Sequence, residues 1–299
     1  MKILLTGSTG QLGRALLMSA PKNIDNNPVQ VFQSTRSSLD LANSKACFLA
    51  VEDYRPDWII NAAAFTSVED AEKDPGLAFA INAEAPKAFS EGLLEFGGKL
   101  LHLSTDFVFD GQNCFPYSPS DERNPLNTYG KSKAAGEQAI EDLLHPIQKA
   151  TILRTSWLMG PIGKNFLLTM LKLHEERNEI SVVADEIGCP TSTYTLANVC
   201  WKLLELQHSK TKNSLKYLHW SDSGITTWYD VALKIGELAQ DLGLISQMAR
   251  VIPIKSIDYP SLVKRPRYSV LNSENTINQL SLNNVHWHFT IENILKSLI

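Results

Sequence analysis

Short apolar runs alternate with longer segments of helical periodicity from residue 2 to residue 155. The apolar runs lie at residues 2–6, 29–33, 58–62, 99–104 and 150–154, and each is hydrophobic along nearly its whole length. Continuous hydrophobicity is typical of strands buried on both faces, and strands that alternate with helices indicate βαβ units. The pattern therefore predicts an α/β fold whose doubly wound parallel sheet is covered by helices on both faces.

The alternation loosens after residue 155. Helical periodicity returns at residues 166–176, 194–206 and 228–242, a strand-like run covers residues 215–220, and residues 188–191 read as a turn. No flexible linker separates the two parts. We expect a first lobe at residues 1–155 and a smaller C-terminal lobe at residues 156–299, with some later segments returning to the main sheet.

Composition narrows the class of protein. The 299 residues are 43% hydrophobic and 20% charged with a formal net charge of −4, so no basic field exists for nucleic acid. No apolar stretch approaches the ~20 residues that span a bilayer. The first strand-like run follows Met1 directly and leaves no room for the apolar region of a signal peptide. We expect a cytoplasmic protein with neither nucleic acid nor a membrane as partner.

Cysteine and aromatic positions give structural expectations only. The four cysteines form no C-x-x-C pair, so we interpret all of them as structural thiols: Cys47, Cys114, Cys189 and Cys200. His286 and His288 lack a third ligand nearby, and no metal site is predicted. We expect the aromatic side chains of Trp220, Trp228 and Tyr229 in the core.

Three glycines follow the first strand in the pattern G-x-x-G-x-x-G, namely Gly7, Gly10 and Gly13. Glycine permits a tight turn and lets a pyrophosphate approach the backbone, while the following helix N-terminus favours negative charge. The position predicts that residues 1–155 form a Rossmann-type dinucleotide-binding domain, with Gln11 and Leu12 in the binding turn. An ordinary strand-to-helix turn is the alternative for the motif alone.

The end of the second strand bears on cofactor choice. A carboxylate there binds the ribose 2′-OH of NAD, whereas a cation accommodates the 2′-phosphate of NADP. Residues 33–36 contain no carboxylate and end in Arg36, which favours NADPH. NADH stays open, because Arg36 can also be read as a solvated loop residue. We expect Asp40 and Leu41 near the adenine end.

Tyr129 and Lys133 lie four residues apart at the start of a predicted helix and so share one face. A nearby ammonium favours the ionised phenol and tunes it for proton transfer. Ser104 and Thr105 end a strand at the carboxyl edge of the predicted parallel sheet, where ligands bind. Hydroxyl, phenol and ammonium together can bind a carbonyl oxygen and protonate it as hydride arrives.

These motifs make the chain similar to the extended short-chain dehydrogenase/reductases, and within them to the reductases of dTDP-linked keto-sugars. The resemblance runs nearly end to end, through residues 7–13, 61–72, 104–111, 129–133, 154–157, 188–191, 224–230 and 265–272. It implies reduction of the C4 ketone of dTDP-4-dehydro-L-rhamnose to dTDP-L-rhamnose by NAD(P)H. It also implies that residues 156–299 are mainly a substrate-binding lobe.

The resemblance assigns roles to individual residues. Thr105 would bond the ketone, Tyr129 would donate its proton to O4, and Lys133 would hold the nicotinamide ribose and lower the pKa of the tyrosine. Substrate contacts are implied for Thr105, Asp106 and Trp157, and Arg265 is a candidate for the pyrophosphate, with Arg267 as the alternative. A cofactor-lining loop is implied at Ala62, Ala63, Ala64, Phe65 and Thr66. Asn82 would support the active site.

Two features leave alternatives open. Some members of the family bind Mg²⁺ at a dimer contact through acidic residues, but Ala15 stands at one such position and only Glu292 is a counterpart. We therefore predict no metal, and a homodimer stays open. A non-catalytic subunit of the methionine adenosyltransferase β type has similar motifs, and so do nucleotide-sugar epimerases and dehydratases. The intact Thr105, Tyr129 and Lys133 set favours a reductase.

Overall fold

A computed structural model describes residues 1–208, 215–261 and 263–299. Its strands are β1 (Lys2–Thr6), β2 (Asn23–Ile24), β3 (Asn27–Pro28), β4 (Gln30–Gln33), β5 (Trp58–Asn61), β6 (Lys99–Thr105), β7 (Ala150–Thr155), β8 (Leu158–Met159), β9 (Glu179–Val183), β10 (Ile187–Gly188), β11 (Thr191–Ser192), β12 (Tyr217–Trp220), β13 (Thr226–Thr227) and β14 (Arg250–Ile254).

The α-helices are α1 (Gln11–Met18), α2 (Ser44–Tyr54), α3 (Val68–Lys73), α4 (Pro75–Phe79), α5 (Ala85–Phe96), α6 (Thr128–Leu144), α7 (Phe166–Glu176), α8 (Thr193–His208), α9 (Trp228–Asp241), α10 (Glu274–Leu280) and α11 (Trp287–Lys296). A π-helical turn (Ala80–Glu84) joins α4 to α5, and 3₁₀ turns lie at Asp106–Val108 and Ser256–Asp258.

The central sheet has six strands, all parallel, in the order β12-β7-β6-β5-β1-β4. Helices α1 and α8 pack on one face, and α2, α5 and α6 pack on the other. The strands are hydrophobic throughout because both faces are covered; every residue of β5 is buried. The doubly wound Rossmann-type sheet predicted from the hydrophobic pattern is confirmed.

The later part of the chain builds a second core. Helices α7, α9 and α11 pack around the parallel pair formed by β9 and β14, with Leu167, Ile235 and Ile291 at the centre. Strand β12 instead lies in the main sheet, where Tyr217 pairs with Ile152 of β7. The carboxyl ends of the sheet strands therefore face the second core across a gap.

The predicted elements agree with the structure to within one or two residues. Helix α7 spans the predicted residues, α8 is one residue longer at its start and two at its end, and β12 begins two residues later than predicted. All four cysteines are free thiols. Cys47, Cys189 and Cys200 are buried, whereas Cys114 is exposed on the segment between β6 and α6. None of the described helices has the length and apolar character needed to cross a membrane.

Candidate functional site

A cleft of about 790 Å³ lies between the carboxyl ends of the sheet strands and the second core. Its volume falls in the range of cofactor and small-molecule sites. Of the predicted site residues, all but Asn82 and Arg267 line it: Gly7, Gly10, Gln11, Leu12, Gly13, Arg36, Asp40, Leu41, Ala62, Ala63, Ala64, Phe65, Thr66, Thr105, Asp106, Tyr129, Lys133, Trp157 and Arg265. Residues separated by more than 250 positions in sequence thus share one cavity.

The glycine turn is shaped by close backbone approaches. Gly7 has a φ of +67°, and a Cβ there would lie 2.9 Å from Cα of Ala63. A Cβ on Gly13 would lie 2.0 Å from the carbonyl oxygen of Gly7, so α1 can begin this close to the turn only with glycine. Gly10 caps α1 without a side-chain hydrogen bond, which leaves helix N–H groups available to an anion. These features fit a dinucleotide pyrophosphate.

The loop after β4 forms the far end of the cleft. Arg36 is exposed at the cleft, and the hydroxyls of Thr35 and Ser37 lie 2.8 Å apart beside it. Asp40 accepts a hydrogen bond from the backbone N–H of Ala42 at 3.1 Å. A guanidinium flanked by hydroxyls is a chemically suitable setting for a phosphate. The hydroxyls were not predicted, although the serine-rich sequence after Arg36 is a signal for them.

The catalytic candidates come from β6 and α6. Strand β6 ends at Thr105, whose hydroxyl donates to Asp106 Oδ1 at 2.9 Å. Asn127 caps α6 by accepting from the N–H of Gly130 at 2.9 Å, which starts the helix just before Tyr129. Burial raises the pKa of Tyr129 to about 12, against a smaller lowering by hydrogen bonding with Thr105. The lowering of this pKa expected from Lys133 is wrong for the protein without ligands, because burial of the phenol dominates. The phenol is therefore protonated and can act as a donor.

Lys133 lies one helical turn beyond Tyr129 and is 1% exposed. Its Nζ donates to the carbonyl of Leu103 at 2.7 Å and lies 3.1 Å from Nε2 of His102. Burial lowers the pKa of Lys133 to about 8. The amine is thus anchored on β6, at the floor of the cleft.

Asp106 is a buried carboxyl in the cleft wall and is 2% exposed. Its Oδ2 has no hydrogen-bond partner within the described residues. Burial raises the pKa of Asp106 to about 6. An unpartnered buried oxygen is costly, so a bound hydroxyl that donates to Oδ2 would be favoured.

Aromatic side chains build the opposite wall. The ring of Trp157 stacks on that of Trp228 with centroids 3.6 Å apart and planes 9° apart. Glycine at position 188 is required, because a Cβ there would lie 2.5 Å from the Trp157 ring. Trp228, expected in the core, is half-buried: it packs against the second core and also lines the cleft. Its ring meets Trp157 there, because α9 begins at Trp228.

Glu186 was missed from sequence. It is largely buried, lines the cleft and accepts from Nε1 of Trp228 at 3.2 Å. Burial raises its pKa. The one sequence signal is its place just before the turn at residues 188–191, which by itself does not indicate a cleft position.

The two candidate arginines differ in position. Arg265 lines the cleft and forms an ion pair with Glu69 of α3, which joins the two sides of the cleft mouth. Arg267 is 74% exposed and pairs with Asp185 outside the cleft lining. Arg265 is therefore the better placed to meet a charged ligand.

Asn82 connects the cofactor-side loop to the catalytic helix. Its Oδ1 accepts from the N–H of Phe65 at 2.8 Å, and its Nδ2 donates to the Phe65 carbonyl and to the Ser132 hydroxyl, each at 3.0 Å. The amide thus fixes the loop at residues 62–66 against α6.

The described residues contain no group of three or more side chains suited to a metal ion. At the position where some relatives carry an acidic residue, Ala15 is buried in α1. Glu292 forms an ion pair with Lys296 on its own helix at 2.6 Å.

Known proteins resemble this chain along its whole length. The family model described as the RmlD substrate binding domain matches residues 1–299. The chain belongs to this family. The dTDP-4-dehydrorhamnose reductase of Aggregatibacter actinomycetemcomitans is 36% identical over 295 residues, covering 98% of each chain. The enzyme of the same name from Escherichia coli K12 is 35% identical over 298 residues, covering 100% of this chain and 98% of its own.

Solved structures named as dTDP-4-dehydrorhamnose reductases superpose closely on this chain. A dTDP-4-dehydrorhamnose reductase from Clostridium acetobutylicum has a TM-score of 0.89 at 34% identity, covering 100% of this chain and 99% of its own. The Bacillus anthracis reductase, solved in complex with NADP, has a TM-score of 0.88 at 32% identity and covers 99% of both chains. A Thermotoga maritima UDP-glucose 4-epimerase, at 15% identity and a TM-score of 0.77, shares the fold alone.

Proposed function

We propose that this protein reduces the C4 ketone of dTDP-4-dehydro-L-rhamnose to dTDP-L-rhamnose with NADPH. The observation that carries the proposal is the single cleft in which the glycine turn, Thr105, Tyr129, Lys133 and the second-lobe residues Trp157 and Arg265 converge. Membership of the RmlD family along the whole chain supports it, as does the NADP complex of the Bacillus anthracis relative. We further propose residues 1–155 as the cofactor-binding part and residues 156–299 as mainly the substrate-binding part.

The reaction needs a hydride donor, and NADPH supplies the hydride when bound along the glycine turn. The residues of the chain do the rest. Thr105 and Tyr129 hold the ketone oxygen, and the protonated phenol gives its proton to O4 as negative charge develops there. Asp106 accepts a sugar hydroxyl through its unpartnered oxygen. Stacked Trp157 and Trp228 exclude water from the reacting face.

The cavity also accounts for the two ends of the ligands. Arg265 would bind the diphosphate of the nucleotide. On binding, its guanidinium would leave Glu69 and pair with a phosphate instead. Arg36, which lines the far end of the cleft, would bind the 2′-phosphate of NADPH, and NADH is the alternative cofactor.

Purified protein incubated with dTDP-4-keto sugars and either NADPH or NADH tests the proposal. Consumption of NADPH with formation of dTDP-L-rhamnose supports it. A non-catalytic subunit would give no consumption with any sugar, and an epimerase or dehydratase would retain NAD through purification and show no net oxidation. The mass of the protein in solution decides the homodimer, and cell fractionation tests our proposed cytoplasmic location.

Arg36→Ala is expected to raise KM for NADPH by roughly fivefold, because one partly exposed arginine–phosphate pair contributes ~1 kcal/mol after solvent screening. KM for NADH should change little, since NADH lacks the 2′-phosphate. Steady-state kinetics with both cofactors measures the effect, and Arg250→Ala, an exposed arginine far from the cleft lining, is the control. Equal effects on both cofactors would assign the 2′-phosphate to another group.

Lys133→Met is expected to raise KM for NADPH and to lower kcat together, because the amine is proposed to contact the ribose and to tune the phenol. Methionine keeps the apolar length of the side chain and removes the charge. Lys131→Met, an exposed position on the same helix, should leave both constants near those of the wild type. If kcat/KM survives the loss of Lys133, the amine has no part in the reaction.

A further inference from the structure

A buried line of polar side chains runs from Lys133 through the sheet toward the glycine turn. Lys133 Nζ is 3.1 Å from His102 Nε2, and His102 Nδ1 is 3.0 Å from Asn61 Nδ2. Asn61 Oδ1 accepts from the hydroxyl of Thr6 at 2.7 Å, and that hydroxyl accepts from the backbone N–H of Ala63 at 3.2 Å. The side chains of Lys133, His102, Asn61 and Thr6 are each 0–1% exposed.

The hydrogen-bond partners of its two ring nitrogens determine the tautomer of His102. A neutral imidazole carries one N–H, so one ring nitrogen donates and the other accepts. When Asn61 Nδ2 donates to Nδ1 of His102, the ring proton sits on Nε2 and points at Lys133. An uncharged Lys133 amine suits this arrangement, because its lone pair accepts from Nε2 while it donates to the Leu103 carbonyl at 2.7 Å.

A charged Lys133 requires the opposite arrangement. An ammonium has three donors and no lone pair, so Nε2 must then accept from it. The ring proton therefore sits on Nδ1 and donates to the Asn61 carboxamide oxygen, with the amide turned over toward Thr6. The imidazole holds one proton in both arrangements, and the net change is one proton on Lys133.

The surroundings keep His102 neutral while Lys133 titrates. Burial and the neighbouring Lys133 hold the pKa of His102 well below its usual range. The titratable groups facing Lys133 are His102 from β6 and Tyr129 and Glu137 from α6, and Glu137 is itself paired with Arg154 of β7. With its pKa lowered to about 8 by burial, Lys133 populates both forms in mildly alkaline solution.

We propose that His102 is a positioning residue that holds Lys133 in both of its protonation states by exchanging its own tautomer. The kinetic part of this inference rests on the proposed function, because it takes Lys133 as the residue that supports Tyr129. The chemical part concerns the protein without ligands. An acceptor at Nε2 stabilises the ammonium, so removal of that acceptor should favour the uncharged amine.

The tautomer is measured directly by imidazole ¹⁵N chemical shifts in protein without cofactor. We expect His102 to stay neutral between pH 5.5 and 9.5 and to change from the Nδ1–H to the Nε2–H form with a midpoint of about 8. His174 is the internal control, since Nδ1 accepts from the Ala249 N–H at 3.2 Å and Nε2 donates to the Ala232 carbonyl at 2.9 Å. It should keep one tautomer throughout. A single His102 tautomer across the range would overturn the proposal.

A pair of variants separates positioning from structure. In His102→Gln the carboxamide oxygen reaches the place of Nε2 and can accept from Lys133, whereas in His102→Asn it reaches only the place of Nδ1. In the pH profile of kcat/KM, the alkaline limb is the fall that accompanies deprotonation of Lys133. The Asn variant should shift this limb about one pH unit lower, the expected effect of losing one hydrogen bond to a charged group. The Gln variant should restore the wild-type limb.

The outcomes distinguish this proposal from the proposed function. If both variants lose thermal stability and rate while the limb stays in place, His102 is only structural and the proposal fails. If the wild type reduces no keto-sugar, the proposed function fails, and the ¹⁵N titration still decides whether His102 follows the protonation of Lys133. His174→Gln controls for the loss of a buried histidine elsewhere and should leave the limb unchanged.

Discussion

Tyr129→Phe is expected to lower kcat by about 10² to 10⁴-fold, the usual contribution of general acid catalysis, while KM for NADPH stays near that of the wild type. Tyr129 is half-buried in the cleft wall and its ring lies edge-on to Phe107 at 5.6 Å, so phenylalanine keeps the packing and removes only the hydroxyl. Single-turnover oxidation of NADPH with the keto-sugar, followed by fluorescence, measures the effect on the chemical step.

Cofactor binding provides the control for this variant. Titration of NADPH fluorescence should give the same dissociation constant for wild type and Tyr129→Phe, because the ring stays in place. Tyr268→Phe, outside the cleft lining, should leave kcat unchanged. A Tyr129→Phe enzyme that retains more than about half of the wild-type rate would remove Tyr129 from the role of proton donor.

Arg154→Met is expected to lower the free energy of unfolding by about 3–5 kcal/mol, the range for removing one partner of a buried ion pair. Arg154 donates from Nε and Nη2 to the two carboxylate oxygens of Glu137 at 2.9 and 2.7 Å, and the two side chains are 2% and 0% exposed. With methionine at position 154 the Glu137 carboxylate stays buried, and the cation left beside it among the described residues is Arg123, at 3.4 Å. Denaturant unfolding followed by circular dichroism measures the change.

Two further variants make the cause of this effect visible. Glu137→Met combined with Arg154→Met should recover most of the lost stability, because no uncompensated charge remains. Lys296→Met breaks an exposed ion pair with Glu292 and should cost less than ~1 kcal/mol. If Arg154→Met costs no more than Lys296→Met, the buried pair does not hold α6 against β7.

The Arg154–Glu137 pair also bears on catalysis through the geometry of α6. Glu137 lies one turn beyond Lys133, and Lys133 lies one turn beyond Tyr129 on the same helix. The ion pair thus ties the helix that carries the catalytic candidates to strand β7. A destabilised Arg154→Met protein should lose more of kcat than of NADPH binding, since α6 is proposed to supply only the ribose contact of Lys133 while the glycine turn belongs to β1 and α1.

Local sequence pattern was sufficient for most of the fold. Strands buried on both faces appear in the sequence as continuous apolar runs, and the helices between them appear as apolar residues at helical spacing. Both patterns are local, because the face on which a side chain lies depends only on the repeat of its own helix or strand. The same holds for the glycine turn, whose spacing reflects contacts over a few residues, and for Tyr129 and Lys133, which one helical turn brings together.

The composition of the cleft wall required the folded chain. Trp228 and Glu186 meet across 42 positions and Arg265 meets Glu69 across 196, so no local period relates them. The exposure of Cys114 is likewise a property of the folded chain, because it depends on the surface route of the segment between β6 and α6.

The same limit applies to the environment of Lys133. The Y-x-x-x-K spacing predicted that the amine lies on the same face of α6 as Tyr129. Its partners His102 and Leu103, however, come from β6. The line of hydrogen bonds then continues through Asn61 of β5 to Thr6 of β1. The direction of a pKa shift depends on burial and on charges within a few ångströms. Those quantities arise only when the parallel strands align, because strand register brings residues from distant positions into one buried layer.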